Sequence, residues 1–474
     1  MARTSGETSA ISLDSGEVRV PTADIRYHIS QDLSLRYQRG NVSGSLQAAY
    51  FIGSGTAARS LIWRLDGFLF QFPVAWYAQS GWNLAPGYEK RDTLSLSRAV
   101  GPECLNCHAT GVRHRAGTEN QYESSPVAEP GVGCERCHGP AGEHVKSGGR
   151  RAIVNPSKLS PPLRDSVCGQ CHLTGVERVL RRGRSMLQFR AGDDLQEYAV
   201  TFLSDKLEGQ DLHTTSHFER LQASGCKKAS GAKLWCGTCH EAHARPDAAT
   251  KEEFYRSRCI ACHQESQHAS AQQGCLSCHM PRRPAADARL AQFTDHAIPR
   301  QTARTVSTRP DGLVPFAGRA DAREEGLAWA RIGTAANDAA ALDRSRLLLE
   351  RSYGAESTDA EVTAVLGYLS DRAGDTKGAV ALYERVLRTD RSQTEAVMNL
   401  GSSYAVTGRL KEAVELWRDV AARNPSLESV WIKLASAYAV LGEKEAAREA
   451  ARSCLKYHPD SKLMREFLVE TSGQ

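Results

Sequence analysis

The 474-residue chain is 41% hydrophobic and 24% charged with a formal net charge of +5, which is a globular composition long enough for two or three domains. It contains no run of about 18 apolar residues, which excludes a membrane-spanning helix. Its departure from ordinary usage is the count of 14 cysteines, and their positions organise the reading of the chain.

Residues 1 to 45 are polar, and the alternation of Ile25, Tyr27 and Ile29 predicts a strand. His28, between them, reads either as an ordinary exposed histidine or as a candidate ligand. The first thirty residues lack the apolar stretch of a secretory signal peptide, so any leader is expected to lie outside this sequence. Between Tyr50 and Tyr88, Leu61 to Leu65, then Asp66-Gly67, then Phe68 to Phe72 predict a hairpin with a type I′ turn. Pro73 is expected to close its second strand. Trp63, Phe68, Phe70, Phe72, Trp76, Tyr77 and Trp82 predict a small β core, with packing against a first prosthetic group as their second use. Residues 1 to 100 are thus expected to form a small N-terminal segment with a β-hairpin.

One five-residue pattern then occurs six times: Cys104-Leu-Asn-Cys107-His108, Cys134-Glu-Arg-Cys137-His138, Cys168-Gly-Gln-Cys171-His172, Cys236-Gly-Thr-Cys239-His240, Cys259-Ile-Ala-Cys262-His263 and Cys275-Leu-Ser-Cys278-His279. C-x-x-C-H is the attachment signature of c-type haem. Two thiols one helical turn apart add to the porphyrin vinyl groups, and the following imidazole becomes the proximal iron ligand. Paired CxxC knuckles also bind zinc. A zinc ribbon, however, needs no histidine after every pair, and only nine of the 15 histidines lie elsewhere. The expected cofactors are six covalently attached haem c groups, with Cys226 and Cys454 as the thiols left over. Two propionates and a ferric core of about +1 per haem add roughly −6 in all. The holoprotein is then near neutral, and its basic polypeptide does not signal nucleic acid. Covalent haem attachment implies export, to the periplasm or the cell exterior.

Successive motifs are 30, 34, 68, 23 and 16 residues apart, with many Gly, Pro and short polar loops between them. Residues 101 to 300 are therefore expected to be a hexahaem domain with little regular structure and the haems as its core. In the 68-residue gap, Arg178, Arg181, Arg182, Arg184 and Arg190 read as a solvated basic face, or as groups for propionates or a docking partner. Residues 301 to 320, with Pro310, Gly312, Pro315 and Gly318, read as a linker.

From 321 to 474 the sequence repeats every 34 residues. Gly333, Gly367 and Gly401 are in phase, as are Gly374, Gly408 and Gly442, Tyr383 and Trp417, and Pro425 and Pro459. This is the tetratricopeptide pattern, and three good repeats with a degenerate first one predict an all-α solenoid. Cys454 is in phase with Val386 and Val420 and should be a buried thiol. His458 is expected at the surface, not on a metal.

Eight histidines remain for the second axial position: His28, His114, His144, His213, His217, His243, His268 and His296. His114, His144, His243 and His268 follow a proximal histidine by six, six, three and five residues. So short a segment cannot round the edge of its own porphyrin, so each of these, as a ligand, serves a neighbouring haem. Gly131-Val-Gly-Cys-Glu-Arg-Cys-His-Gly-Pro-Ala-Gly-Glu-His144 resembles the tetrahaem cytochromes c of ammonia oxidisers and related multihaem cytochromes. Cys-His-Glu-Ala-His243, and Cys275-Leu-Ser-Cys-His-Met-Pro-Arg-Arg with Phe293-Thr-Asp-His296, are similar to further family segments. Tyr50-Phe-Ile-Gly-Ser-Gly, Trp76-Tyr, Ser80-Gly-Trp and Pro86-Gly-Tyr resemble larger bacterial members that end in such repeats. The resemblance implies electron transfer and distal ligation by His144, His243, His268 and His296. His217 is a fifth ligand by position, and the sixth lies among His28, His114 and His213.

The fold expected is mixed: a small β-containing N-terminal segment, a haem-cored domain and a helical repeat solenoid. The function expected is electron transfer through six closely packed bis-histidine haems, between redox partner proteins, with protein docking on the repeats. A homopolymeric extracellular filament is a further form of that reading. The alternative is a multihaem oxidoreductase acting on a small nitrogen or sulfur compound at an open haem site.

Overall fold

The computed structural model describes residues 4–89, 91–205, 211–263, 274–299, 310–354 and 358–472. The chain opens with an antiparallel sheet of nine strands, far more than one hairpin: β1 (Ser5–Glu7), β2 (Gly16–Val20), β3 (Ile25–Ile29), β4 (Ser34–Arg39), β5 (Val42–Ile52), β6 (Ala58–Leu65), β7 (Phe68–Tyr77), β8 (Gly81–Leu84) and β9 (Arg98–Ala99). β2 to β8 pair in chain order, β1 adds to β5, and β9 adds to β7. The sheet curls until β8 lies beside β2, where Trp82 Nε1 donates to the Asp14 carbonyl at 2.6 Å.

Period-two alternation puts Ile25, Tyr27 and Ile29 inside and Arg26 and His28 outside. Within the curl these residues meet Leu35, Phe51, Trp63, Phe70 and Phe72, all buried. Each such side chain contributes roughly 1.5–3 kcal/mol on burial. Asp66 and Gly67 both take positive φ, 51° and 84°, as the type I′ turn between β6 and β7 requires. Pro73 does not end β7. The strand runs through it at a bulge, where the register slips between Ser60↔Ala75 and Ile62↔Gln71, so the missing N–H leaves no ladder bond unmade.

The middle of the chain is built from short pieces: α1 (Pro102–His108), β10 (Ala109–His114), β11 (Tyr122–Pro130), α2 (Glu135–His138), α3 (Gly142–Lys146), α4 (Pro161–His172), β12 (Glu177–Leu180), β13 (Ala199–Ser204), α5 (His217–Ala223), α6 (Gly225–Ser230), α7 (Cys236–Cys239), α8 (Lys251–Ile260), α9 (Cys275–His279), β14 (Arg282–Ala285) and β15 (Ala288–Thr294). The outer face of the β6–β7 hairpin, through Ile62 and Leu69, packs on Leu105 of α1. Ala285, Ala288 and Ala291 of the β14–β15 hairpin pack against Ala75, Tyr77 and Tyr88. The N-terminal sheet is thus the platform on which the first and last motifs rest.

Part of the segment read as a linker is structured, and residues 301–309 lie outside the described residues. Leu313–Pro315 form β16, which pairs with β13 because its carbonyls and N–H groups complete an otherwise open edge. The repeats follow as α10 (Ala322–Ala336), α11 (Ala339–Ser352), α12 (Ala360–Arg372), α13 (Thr376–Thr389), α14 (Thr394–Val406), α15 (Leu410–Arg423), α16 (Glu428–Val440), α17 (Lys444–Tyr457) and a closing α18 (Lys462–Ser472). The in-phase residues have a packing reason. A Cβ on Gly367 would lie 2.6 Å from the Tyr383 ring, and one on Gly401 would lie 2.4 Å from Trp417 Nε1. Small residues on one helix therefore seat the aromatic of its partner. Cys454 is fully buried.

The repeats are tied at both ends. Leu327, Leu349, Val362 and Leu366 pack on Val179, Val200 and Phe202 of β12 and β13. Arg181 pairs with Glu324 at 2.9 Å, Arg331 with Glu177 at 2.9 Å, and Arg323 donates to the Leu180 carbonyl at 2.9 Å. At the far end, Tyr457 enters the core of the curled sheet beside Phe70, and Asp460 takes Arg39 Nη1 at 2.7 Å and the Leu94 N–H at 2.9 Å. Of the basic face expected at Arg178 to Arg190, Arg182, Arg184 and Arg190 are exposed, as a solvated face requires, whereas Arg178 and Arg181 turn to internal partners. Arg181 and Arg182 reach the repeats, and Arg184 covers the Tyr198 ring. No helix among the described residues is long and apolar enough to cross a membrane.

Candidate functional site

Every motif sits on or at the end of a short helix, because one turn is what brings two cysteines spaced i, i+3 to one side. The turn closes on the histidine itself. The His138, His240 and His263 N–H groups donate to the carbonyls of Cys134, Cys236 and Cys259 at 2.9, 2.9 and 3.0 Å. The helices α2, α7, α8 and α9 bury none of their own residues, so the polypeptide alone does not pack them. α4 differs. Arg178, expected on a solvated face, is turned inward over its C-terminus and donates to the carbonyls of Gly169 and Gln170, both at 3.3 Å, and of Leu173. A cation there complements the helix dipole and satisfies carbonyls that the helix leaves open.

The motifs converge. None of the motif cysteines is joined in a disulfide. Cys107 of the first motif hydrogen-bonds Cys171 of the third, which with burial raises Cys107. That bond, against the opposing effect of burial, lowers Cys171 with help from Arg136. Cys168 meets Cys236 of the fourth motif, and Cys259 of the fifth meets Cys275 of the sixth.

The imidazoles form a connected set. Ring centroids of His172 and His217 are 5.1 Å apart, His217 and His296 4.8 Å, His240 and His296 6.0 Å, and His138 and His243 5.9 Å. Two imidazoles bound to one metal from opposite sides, with bonds of about 2 Å, stand roughly 6 Å apart between ring centres.

The tautomers suit metal binding. Nδ1 of His138, His144, His279 and His296 faces the carbonyls of Val154, Arg151, Pro299 and Thr294 at 2.6, 2.6, 3.1 and 3.0 Å. An N–H there leaves Nε2 as the free lone pair, the usual second-sphere arrangement of a ligating histidine. His458 is the converse case. Its Nε2 is used on the Ser426 carbonyl at 2.8 Å, so it presents no such lone pair.

Burial keeps the central rings neutral, which is the ligating form. His217 is driven down to about 3, by burial first and then by the His296 and His172 rings. His296 falls to about 4, chiefly by burial. Burial likewise lowers His108, His114, His172 and His240. His108 Nδ1, His114 Nε2 and His217 Nδ1 are buried with no hydrogen-bond partner. Cysteines in pairs, neutral imidazoles and unpartnered ring nitrogens are the donor set that haem c requires, and the residues fit that group.

A cavity of about 980 Å³ opens between α4, α5 and the β14–β15 hairpin. Leu173, Leu195, Phe218 and Phe316 make its apolar wall, and Arg220, Lys227 and Arg283 supply cations at its edge. Arg220 and Arg283 converge on the buried Asp295. Burial pushes that carboxyl up, but the two guanidiniums and the Ala297 N–H outweigh it and hold it below the usual carboxylate range.

Residues 82–139 match the family described as cytochrome c554 and c-prime, and residues 430–461 match the tetratricopeptide repeat. A segment of 176 residues is 28% identical to the multiheme cytochrome MtrA of Shewanella baltica (strain OS185), covering 34% of this chain and 52% of that protein. These matches are consistent with a multihaem cytochrome fused to tetratricopeptide repeats. It spans about half the length of the curated relative it matches. Solved structures of MamA, from AMB-1 in two crystal forms, are 24% identical and cover 32% of this chain and 86% of their own, with TM-scores of 0.28 and 0.29.

In this chain the histidines proposed from sequence separate into groups. His217, His243 and His296 lie in ring contact with the motif histidines His172, His138 and His240 respectively. His144 has its Nδ1 fixed but an exposed outer side. His268 lies outside the described residues. Of the three candidates for the sixth position, His114 ends β10 with its ring 5.4 Å from Tyr122 and Nε2 buried and unpartnered. His28 faces outward from β3, and His213 Nδ1 stands 3.9 Å from Asp287.

Several supporting residues were not legible beforehand. Thr4 Oγ1 donates to the His108 carbonyl at 2.8 Å, Ser5 Oγ accepts from the Gly131 N–H at 2.9 Å, and Tyr255 OH stands 3.3 Å from His240 Nδ1. Thr4 and Ser5 are a hundred or more residues from what they hold, and no local pattern marks them. Asp295 alone carried a signal, as an acid directly before a candidate ligand.

Proposed function

We propose that this cytochrome is an electron-transfer protein that attaches six haem c groups through its six cysteine pairs and works outside the cytoplasm, in the periplasm or at the cell exterior. His108, His138, His172, His240, His263 and His279 hold the proximal positions. His243 serves opposite His138, His217 opposite His172, and His296 opposite His240. His144 and His268 are two further distal ligands, and His114 is the sixth.

The observation that carries this reading is the chain of rings His172, His217, His296 and His240, each within 6.0 Å of the next. Such a cluster supports several redox centres lying side by side, and electron tunnelling falls off exponentially with separation. A bound haem supplies the one-electron couple. The residues supply what makes that couple fast: a second imidazole on each iron keeps the ligands unchanged between oxidation states, so little reorganisation opposes transfer. Two imidazoles also favour lower potentials than a methionine ligand does. The repeats are the part of the chain on which redox partner proteins dock. His28, outward on β3, is available to a neighbouring subunit, which supports the filament form.

Optical and EPR spectra of the full-length protein, with and without carbon monoxide, test this. Six haems by mass, all low-spin and inert to carbon monoxide, are expected. A high-spin, carbon monoxide-binding component would turn the reading to the oxidoreductase acting on a small nitrogen or sulfur compound. A colourless zinc protein would end it. Assembly unchanged in His28→Ala would remove the filament form.

A further inference from the structure

Segments adjoining three of the proposed ligands, His217, His279 and His296, meet at one carboxylate. Asp295 lies directly before His296 and is fully buried, at 0% exposure. Its Oδ1 accepts from Arg220 Nε and from the Ala297 N–H, both at 2.9 Å. Its Oδ2 accepts from Arg220 Nη2 at 2.7 Å and from Arg283 Nη2. Arg220 is one helical turn beyond His217 on α5, so a bidentate pair at that position sets the rotation of the helix that carries His217. Arg283 is on β14, just after His279, and the Asp295 N–H donates to the Pro281 carbonyl at 3.0 Å.

The two rings that flank this clamp, His217 and His296, are 4.8 Å apart, and Arg220, Arg283 and Asp295 all line the cavity of about 980 Å³. Burying a carboxylate with two guanidiniums is costly, and apolar residues of similar volume often hold a fold as well or better. The cluster therefore calls for a role beyond packing. On the haem reading given above, we propose that Asp295 is a positioning residue: it holds His296 and, through Arg220, His217 at the angles axial ligation needs, and its charge sets the potential of the haem served.

The test uses the full-length holoprotein, ferric EPR, the carbon monoxide difference spectrum of the reduced form and a potentiometric titration. His296→Ala comes first and should convert one low-spin haem to a high-spin, carbon monoxide-binding one. If all haems stay low-spin, the ligand assignment fails and this proposal with it. Once His296→Ala opens a site, Asp295→Ala should open the same site in part and alter the low-spin g-values. Unaltered g-values with no carbon monoxide binding overturn the positioning role alone. If Asp295→Ala takes up no haem, Asp295→Asn decides. It removes one buried negative charge, so the ligation should stay low-spin while the midpoint of one component rises. An unmoved midpoint overturns the proposal. Arg282→Ala, on the exposed face of β14, should change none of these readouts.

Discussion

At the residue scale, four of the histidines proposed as ligands spend their ring nitrogens in the opposite sense to His458. His138, His144, His279 and His296 turn Nδ1 to a carbonyl, whereas His458 turns Nε2. His458→Ala should therefore leave the absorption and EPR spectra unaltered, and a new high-spin signal would contradict this division. Asp460 is the other telling residue. Its carboxylate holds Arg39 and the Leu94 N–H from a side chain only 8% exposed. Asp460→Ala leaves both donors without that partner, and a loss of about 1–3 kcal/mol is expected in the denaturation midpoint of the holoprotein.

At the element scale, α4 depends on a residue outside it. Arg178 covers the carbonyls of Gly169, Gln170 and Leu173 at the end that bears the third motif. Arg178→Ala should speed amide hydrogen exchange through residues 165–173 and leave exchange in α14 and α15 unchanged. The repeats depend instead on close approach between paired helices. Gly401→Val would put a Cβ 2.4 Å from Trp417 Nε1, an overpacking that costs about 1–3 kcal/mol. Far-ultraviolet circular dichroism in a urea titration should show an earlier loss of helix, with the haem spectrum retained.

At the scale of the whole molecule, the repeat stack is a brace. One end packs on β12 and β13, and the other inserts Tyr457 into the N-terminal sheet. The stack lends Leu327, Leu349, Val362, Leu366 and Tyr457 to packing on other parts of the chain. Excised as residues 321–474, it should be helical and melt well below the same helices in the full-length protein. Equal melting temperatures would show that the brace adds no stability.

The sequence by itself determined the local chemistry: the six cysteine pairs with their histidines, the Asp66-Gly67 turn, the 34-residue period and the buried Cys454. Each is written within about a helical turn, a hairpin or one repeat, the range over which backbone geometry enforces spacing. The rest belonged to the tertiary structure. That Arg178 caps a helix, that Asp295 joins α5 to β14, and that Asp460 closes the chain on its beginning are contacts between residues up to several hundred positions apart. An exposed arginine and a buried one have the same letter. Only the fold decides which carboxylate or carbonyl stands within hydrogen-bond reach, because burial and partner are set by segments that carry no local mark of one another.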